Sequence, residues 1–171
     1  LARSEALQGF VCQPSAAEAL LGMAHQISQS SQRAFTWTGP YGGGKSSLAL
    51  TLGALLGPKA GARALAVEAL GKHNANRLNG LLQQTRNGWL VVPVVGRRGD
   101  PVHDIAACLD LSLSRDNRQK RRRVVKTGRD LVQSLTEEAT SRPGDGVLVL
   151  IDEFGKFLEG SATEGQDLYF F

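Results

Sequence analysis

The sequence predicts an α/β fold, a parallel sheet covered by helices, on three observations. Residues 89–95 and 147–151 are short, nearly continuous apolar runs of strand length. Longer stretches around them repeat apolar side chains at helical spacing. The two kinds of segment alternate along the chain, as they do where helices connect parallel strands.

Taken in order, residues 15–28 place Ala16, Ala19, Leu20, Met23, Ala24 and Ile27 on one helical face. Ser15 is the expected N-cap, with Glu18 three residues on as its capping-box partner. Residues 28–33 are polar and read as a loop. Residues 34–38 carry Phe35 and Trp37 at alternate positions and predict a short buried strand. Glycines follow, and residues 45–56 predict a helix that Gly57-Pro58 stops. Residues 63–71 and 74–85 predict two surface helices with Leu65, Leu70, Leu78, Leu81 and Leu82 turned to the core. Residues 89–95 predict a strand, and Pro93, which has no N–H to donate, puts it at a sheet edge. A polar loop, 96–101, leads to a helix at 102–113. Residues 130–141 predict an amphipathic helix ended by Arg142-Pro143-Gly144. Residues 147–151 predict a strand buried on both faces. Residues 154–159 and 166–171 read as helix or loop, and the last four are Leu168-Tyr169-Phe170-Phe171.

The 171 residues suit a single domain able to bury a core. The expected division is an N-terminal segment and helix at 1–33 and a core at 34–171. Apolar residues are 42 % and charged residues 21 %, which fits a globular chain and excludes a disordered one. The net charge of +4 is local. Residues 115–129 hold Arg115, Arg118, Lys120, Arg121, Arg122, Arg123, Lys126 and Arg129 against Asp116 alone, so this segment is +7 and the rest of the chain −3. The longest apolar run, 147–151, is far too short to cross a bilayer, so no membrane partner is expected. No secretory pattern opens the chain. Cys12 and Cys108 lack metal-ligand spacing and read as small buried side chains in a reducing compartment. The expected location is cytoplasmic.

Chemistry concentrates at two places. Gly39-Pro40-Tyr41-Gly42-Gly43-Gly44-Lys45-Ser46 fits G-x-x-x-x-G-K-[ST] in full, between an expected strand and an expected helix. Glycines let the backbone turn to positive φ and come close to a phosphate. Successive N–H groups then face one concavity, and the helix N-terminus adds partial positive charge. Lys45 brings a mobile full charge to the β and γ phosphates. The Ser46 hydroxyl is suited to ligate the Mg²⁺ that bridges them, and Ser47 continues the phosphate-binding turn. The second place is Val147-Leu148-Val149-Leu150-Ile151-Asp152-Glu153. An apolar strand ending in Asp152 holds a carboxylate for the metal, and Glu153 is placed to polarise an attacking water as general base.

Together these motifs resemble the additional-strand, catalytic-glutamate P-loop ATPases, in particular the AAA+ and STAND-type bacterial ATPases. Gly9-Phe10-Val11 is similar to the short segment that packs against adenine in those families, although Cys12-Gln13 replaces the usual Gly-Arg. The resemblance implies a three-layer α-β-α P-loop NTPase core with a parallel sheet, Mg²⁺ and ATP as ligands, and Phe10 and Val11 at the adenine. It implies Lys45 and Ser46 on phosphate and metal, Asp152 on metal, and Glu153 as base. It also implies a further strand between the P-loop strand and the Asp-Glu strand, following the latter in sequence. Only eighteen residues follow Glu153, so the core is expected to be incomplete on its C-terminal side and the chain to belong to a larger bacterial ATPase.

Other readings are kept beside it. Asp152-Glu153-Phe154-Gly155 matches the D-x-x-G of GTPases. A nucleotide switch would bind without turning over. A nucleic-acid motor would use residues 115–129, and above all 120–123, on a phosphate backbone. Arg97 and Arg98 follow a strand C-terminus, from which an arginine could reach a neighbouring subunit's γ-phosphate in a homo-oligomer. His25, His73 and His103 are scattered and receive no role.

Overall fold

The computed structural model describes residues 7, 9–40, 42–115 and 124–164. It divides into two compact units, Leu1–Trp89 and Leu90–Phe171. Tyr41, residues 116–123 of the basic segment, and Leu168-Tyr169-Phe170-Phe171 lie outside the described residues.

The first unit is helical. It contains α1 (Pro14–Gln29), α2 (Lys45–Leu56), α3 (Ala60–Leu70) and α4 (Lys72–Leu82). α1 packs on α4, and α2 packs on α3. Leu20 and Ala24 of α1, Leu52, Leu55 and Leu56 of α2, Ala66 of α3 and Ala75 and Leu78 of α4 are all but excluded from solvent. Each helix thus turns an apolar stripe inwards, and burial of these stripes drives the packing. Of the leucines expected inside, Leu70, Leu78 and Leu82 are buried, while Leu65 and Leu81 are partly so.

Three local expectations need correction. Residues 34–38 are not a strand: no ladder includes them. They keep the alternation that suggested one, with Phe35 and Trp37 partly buried and Ala34, Thr36 and Thr38 exposed. Alternation makes a segment two-sided, but a strand also needs a hydrogen-bonding neighbour. Helix α1 starts two residues earlier than a Ser15 cap implies, because Pro14 takes the first helical position, where its missing N–H costs nothing. Gln13 is therefore the cap residue, no side chain caps the helix, and the Ser15–Glu18 box does not form.

The second unit holds β1 (Leu90–Val95), α5 (Pro101–Arg115), α6 (Gly128–Thr140), β2 (Val147–Asp152) and α7 (Gly155–Glu164). β1 and β2 pair in parallel from Leu90↔Val147 to Val95↔Asp152. Leu90, Val92 and Val94 point one way and join Ile105, Leu109, Leu131 and Phe157 in the core, with Val147, Val149 and Ile151 packed against them. Among the described residues β2 is the sole strand neighbour of β1, so Pro93 sits on an edge strand as expected. β2 is not buried on both faces as expected; all six of its residues are half-buried. It has one strand neighbour, and the core of this unit covers only its odd-numbered face. The α/β class therefore holds, with helices predominating over a two-stranded parallel sheet. No described helix is long and apolar enough to cross a membrane.

Helix α6 carries a cap the sequence reading did not find. Thr127 Oγ1 accepts the Asp130 N–H at 3.2 Å, and Asp130 Oδ2 accepts the Thr127 N–H at 2.9 Å. This reciprocal pair closes the first turn.

Phe157 is fully buried and meets Phe154 edge to face, with ring centroids 6.4 Å apart. Phe157→Ala should lower unfolding stability by about 3–5 kcal/mol in a denaturant titration. Asp104 supplies a second prediction. The Arg97 guanidinium, hydrogen-bonded to it, holds its carboxyl below the ordinary range. A depressed folded-state value stabilises the fold above the unfolded value of about 3.9, and that contribution disappears as pH falls through the folded value. The gap in thermal midpoint between the native chain and Asp104→Asn should therefore narrow as pH drops from about 5 to about 2.

Candidate nucleotide site

The glycine-rich turn leads directly into α2. Gly42 (φ 76°) and Gly44 (φ 75°) both take the left-handed conformation that a side chain would oppose. Gly44 is the N-cap residue of α2, and no side chain caps the helix. The first helical bond runs from Leu48 N–H to Gly44 O, at 2.8 Å. The amides of Lys45, Ser46 and Ser47 lie ahead of it and have no acceptor within the helix. No acidic residue stands in this first turn.

Lys45 bends back over the turn. Its Nζ donates to Gly39 O at 2.8 Å and to Pro40 O at 2.7 Å. A Cβ on Gly39 would lie 3.8 Å from Lys45 Cδ. The Gly43 N–H donates to Pro40 O at 3.2 Å, which tightens the turn. Ser46 is exposed. Ser47 is half-buried, and its carbonyl accepts from the buried Thr51 hydroxyl at 2.7 Å.

Phe10 comes to this turn. A Cβ on Gly44 would lie 3.4 Å from Phe10 Cε2, so the ring rests against the N-terminus of α2. The Cys12 N–H donates to Ala69 O at 2.9 Å and ties the segment to α3. Val11 is 71 % exposed and makes no part of that packing. The structure thus gathers Phe10, Gly39, Pro40, Gly42, Gly43, Gly44, Lys45, Ser46 and Ser47 in one unit.

The acidic corner belongs to the other unit, and its geometry stands by itself. Asp152 ends β2, and its Oδ1 accepts the Glu153 N–H at 3.0 Å. Glu153 has φ 54°, one of two non-glycine residues with positive φ among those described. Such a conformation costs on the order of 1–3 kcal/mol and persists only where surroundings enforce it. The Glu153 carbonyl accepts the Lys156 N–H at 2.9 Å, and its carboxylate forms an ion pair with the Lys156 ammonium. Gly155 opens α7, and a Cβ there would meet nothing within 4 Å, so no crowding at this position demands a glycine.

Arg97 and Arg98, considered as reaching groups, are engaged inside their own unit. Arg97 Nε donates to Asp104 Oδ2 at 2.7 Å, and its second nitrogen pairs with Oδ1. Arg98 pairs with Glu159 at 3.2 Å. Both arginines remain about 70 % exposed. Burial raises the Cys108 thiol, with Asp104 adding to the effect, and burial raises Cys12. Neither cysteine is disulfide-bonded.

The sequence reading missed the Glu153–Lys156 pair, although its i, i+3 spacing at a helix start was a visible signal. It also missed Arg97–Asp104 and the packing of Gly96, for which no local pattern exists. No protein-family model, curated protein or solved structure matches the chain.

Proposed function

We propose that this chain is the nucleotide-binding part of a Mg²⁺-dependent ATPase of the AAA+/STAND-like class, hydrolysing ATP to drive conformational change in a larger cytoplasmic protein. The observation that carries the reading is the start of α2. Three amides without helical acceptors follow a left-handed glycine, no side chain caps them, and a lysine lies folded over the same turn. This is an anion-binding arrangement in which phosphate oxygens would compete with the Gly39 and Pro40 carbonyls for the Lys45 ammonium.

The donors suit a magnesium nucleotide. Among the described residues no cluster of three His, Cys, Asp or Glu side chains forms a metal cage. Mg²⁺ typically takes one or two protein oxygens and completes its shell with phosphates and water. In this reading Ser46 and Asp152 would be the protein oxygens that hold the ion, which would supply neutralisation of phosphate charge. Lys45 binds the same phosphates. Glu153 orients the attacking water and accepts its proton. Phe10 lies against the P-loop side of the base, with Val11 exposed beside it. The three-layer α-β-α core and its parallel sheet, wider than two strands, belong to the same proposal.

ATP hydrolysis and equilibrium nucleotide binding by the purified chain test it. Lys45→Ala should weaken ATP binding at least about tenfold with the fold retained. Glu153→Gln should keep binding and lower turnover about 100-fold or more. A Lys45→Ala chain that binds ATP like the native one would sink the phosphate reading. Undiminished turnover in Glu153→Gln would remove the assignment of the base.

A further inference from the structure

Gly96 lies one residue beyond β1, is buried, and meets the acidic corner through backbone atoms. Its N–H donates to Asp152 O at 2.7 Å, which carries the parallel pairing one step past Val95↔Asp152. A Cβ at this position would lie 2.3 Å from Glu153 O, 2.9 Å from the Glu153 carbonyl carbon and 3.1 Å from Asp152 O. Gly96 is not among the glycines with positive φ, so the position demands space rather than an unusual conformation. The atoms it would strike are main-chain atoms. No rotamer change relieves the collision, and the corner itself must move.

That corner is already constrained. Glu153 sits in the left-handed region. Its N–H is held by the Asp152 carboxylate, its carbonyl by the Lys156 N–H, and its carboxylate by the Lys156 ammonium. Gly96 closes the remaining side, from the strand next door. The side-chain direction of Glu153 follows from its φ, and its φ is kept by these four contacts from three residues.

We propose that Gly96 is a positioning residue for Glu153: the missing side chain lets the end of β1 close against the Asp152–Glu153 peptide and fixes the direction in which the Glu153 carboxylate leaves the sheet. The inference rests on the reading of Glu153 as the base. A Cβ at Gly96 would have to open the 2.3 Å approach to at least 3.0 Å, a displacement of 0.7 Å or more at the residue that orients the water. Misplacement of a reacting group on this scale costs on the order of 10- to 100-fold in rate.

The full chain carrying Gly96→Ala should bind ATP within about threefold of the native chain and turn it over about 10- to 100-fold more slowly at saturation. Added to Glu153→Gln it should slow hydrolysis no further, since no carboxylate base remains to misplace. Native turnover in a folded Gly96→Ala chain overturns the assignment. So does a matching loss of binding, or a loss that multiplies with that of Glu153→Gln; each would mark a structural role alone. Should Gly96→Ala not fold, glycolic acid at position 96 replaces the N–H that donates to Asp152 O by an ester oxygen and adds no side chain. That variant should lose about 3- to 10-fold in turnover with binding kept, and unchanged turnover overturns the proposal. If the native chain hydrolyses no nucleotide, the base reading has failed, and thermal denaturation decides the hold of Gly96 on the corner separately. Gly96→Ala should then lower the midpoint at least about twice as much with Glu153 present as in a Glu153→Gly background, where glycine absorbs the shift. Equal drops in the two backgrounds overturn it.

Discussion

The amides of Lys45, Ser46 and Ser47 open α2 with no helical acceptor and no side-chain cap. A helix start usually resolves this with a Ser, Thr, Asp or Asn cap, as α6 does with Thr127 and Asp130. At α2 the cap position is Gly44, which offers no side chain and turns the chain left-handed. Several other features serve this arrangement. Phe10 lies at van der Waals distance beside Gly44, the Lys45 stem lies over Gly39, and the buried Thr51 hydroxyl donates to Ser47 O. The leucines on the inward side of α2 anchor the helix, so its first turn is held from behind while its amides stay uncapped.

The acidic corner meets a comparable backbone demand by different means. After β2 the chain must leave the sheet and enter α7 within three residues. It does so through a glutamate, not a glycine, in the left-handed region. Evolution commonly fills such a position with glycine, which bears little conformational penalty there. A carboxylate kept at that point is a local departure from the cheapest solution, of the kind that collects at sites of chemistry. The glycine stands instead across the ladder at Gly96, where the conformation is ordinary and the space is missing. In the proposed reading the two residues divide the work: Glu153 is the base, and Gly96 makes room for it.

How far the sequence revealed this depended on whether a feature was local. Helix α2 spans Lys45–Leu56 as read, because its start and stop are both written in adjacent residues, Gly44 before it and Gly57-Pro58 after it. The strands β1 and β2 were visible as apolar runs, and their parallel pairing followed from the helices between them. Residues 34–38 failed as a strand because alternation describes the sides of a segment and says nothing about a partner. Ser15 lost its capping role to the fixed φ of Pro14, one residue earlier. Asp104 reads in sequence as one more helical acid, yet it is buried and anchors Arg97 across a loop. The glycine-rich turn and the acid pair were each legible as motifs. Of the supports around them, the Glu153–Lys156 pair has helical spacing, whereas Phe10 against Gly44 and Gly96 against Glu153 join segments distant in sequence, which no spacing rule encodes.

β2 poses the last physical question. Five consecutive apolar residues are the pattern of a strand covered on both faces and paired on both edges. The described residues supply one strand neighbour, and the unit's core covers one face, leaving every residue of β2 half-exposed. A two-stranded sheet has little stability of its own. Here it is held by the core on its odd-numbered face, where Phe157 is buried among Ile105, Leu109 and Leu131. Leu148 and Leu150 on the other face contribute less than their type permits. Such surplus hydrophobicity is what a strand taken from the middle of a wider sheet would show. In the proposed ATPase core, β2 holds that place, with a further strand along the edge opposite β1. The apolar excess of β2 and the catalytic reading of its last residues then have a common origin: a carboxylate at the end of a central strand is fixed by the whole sheet behind it.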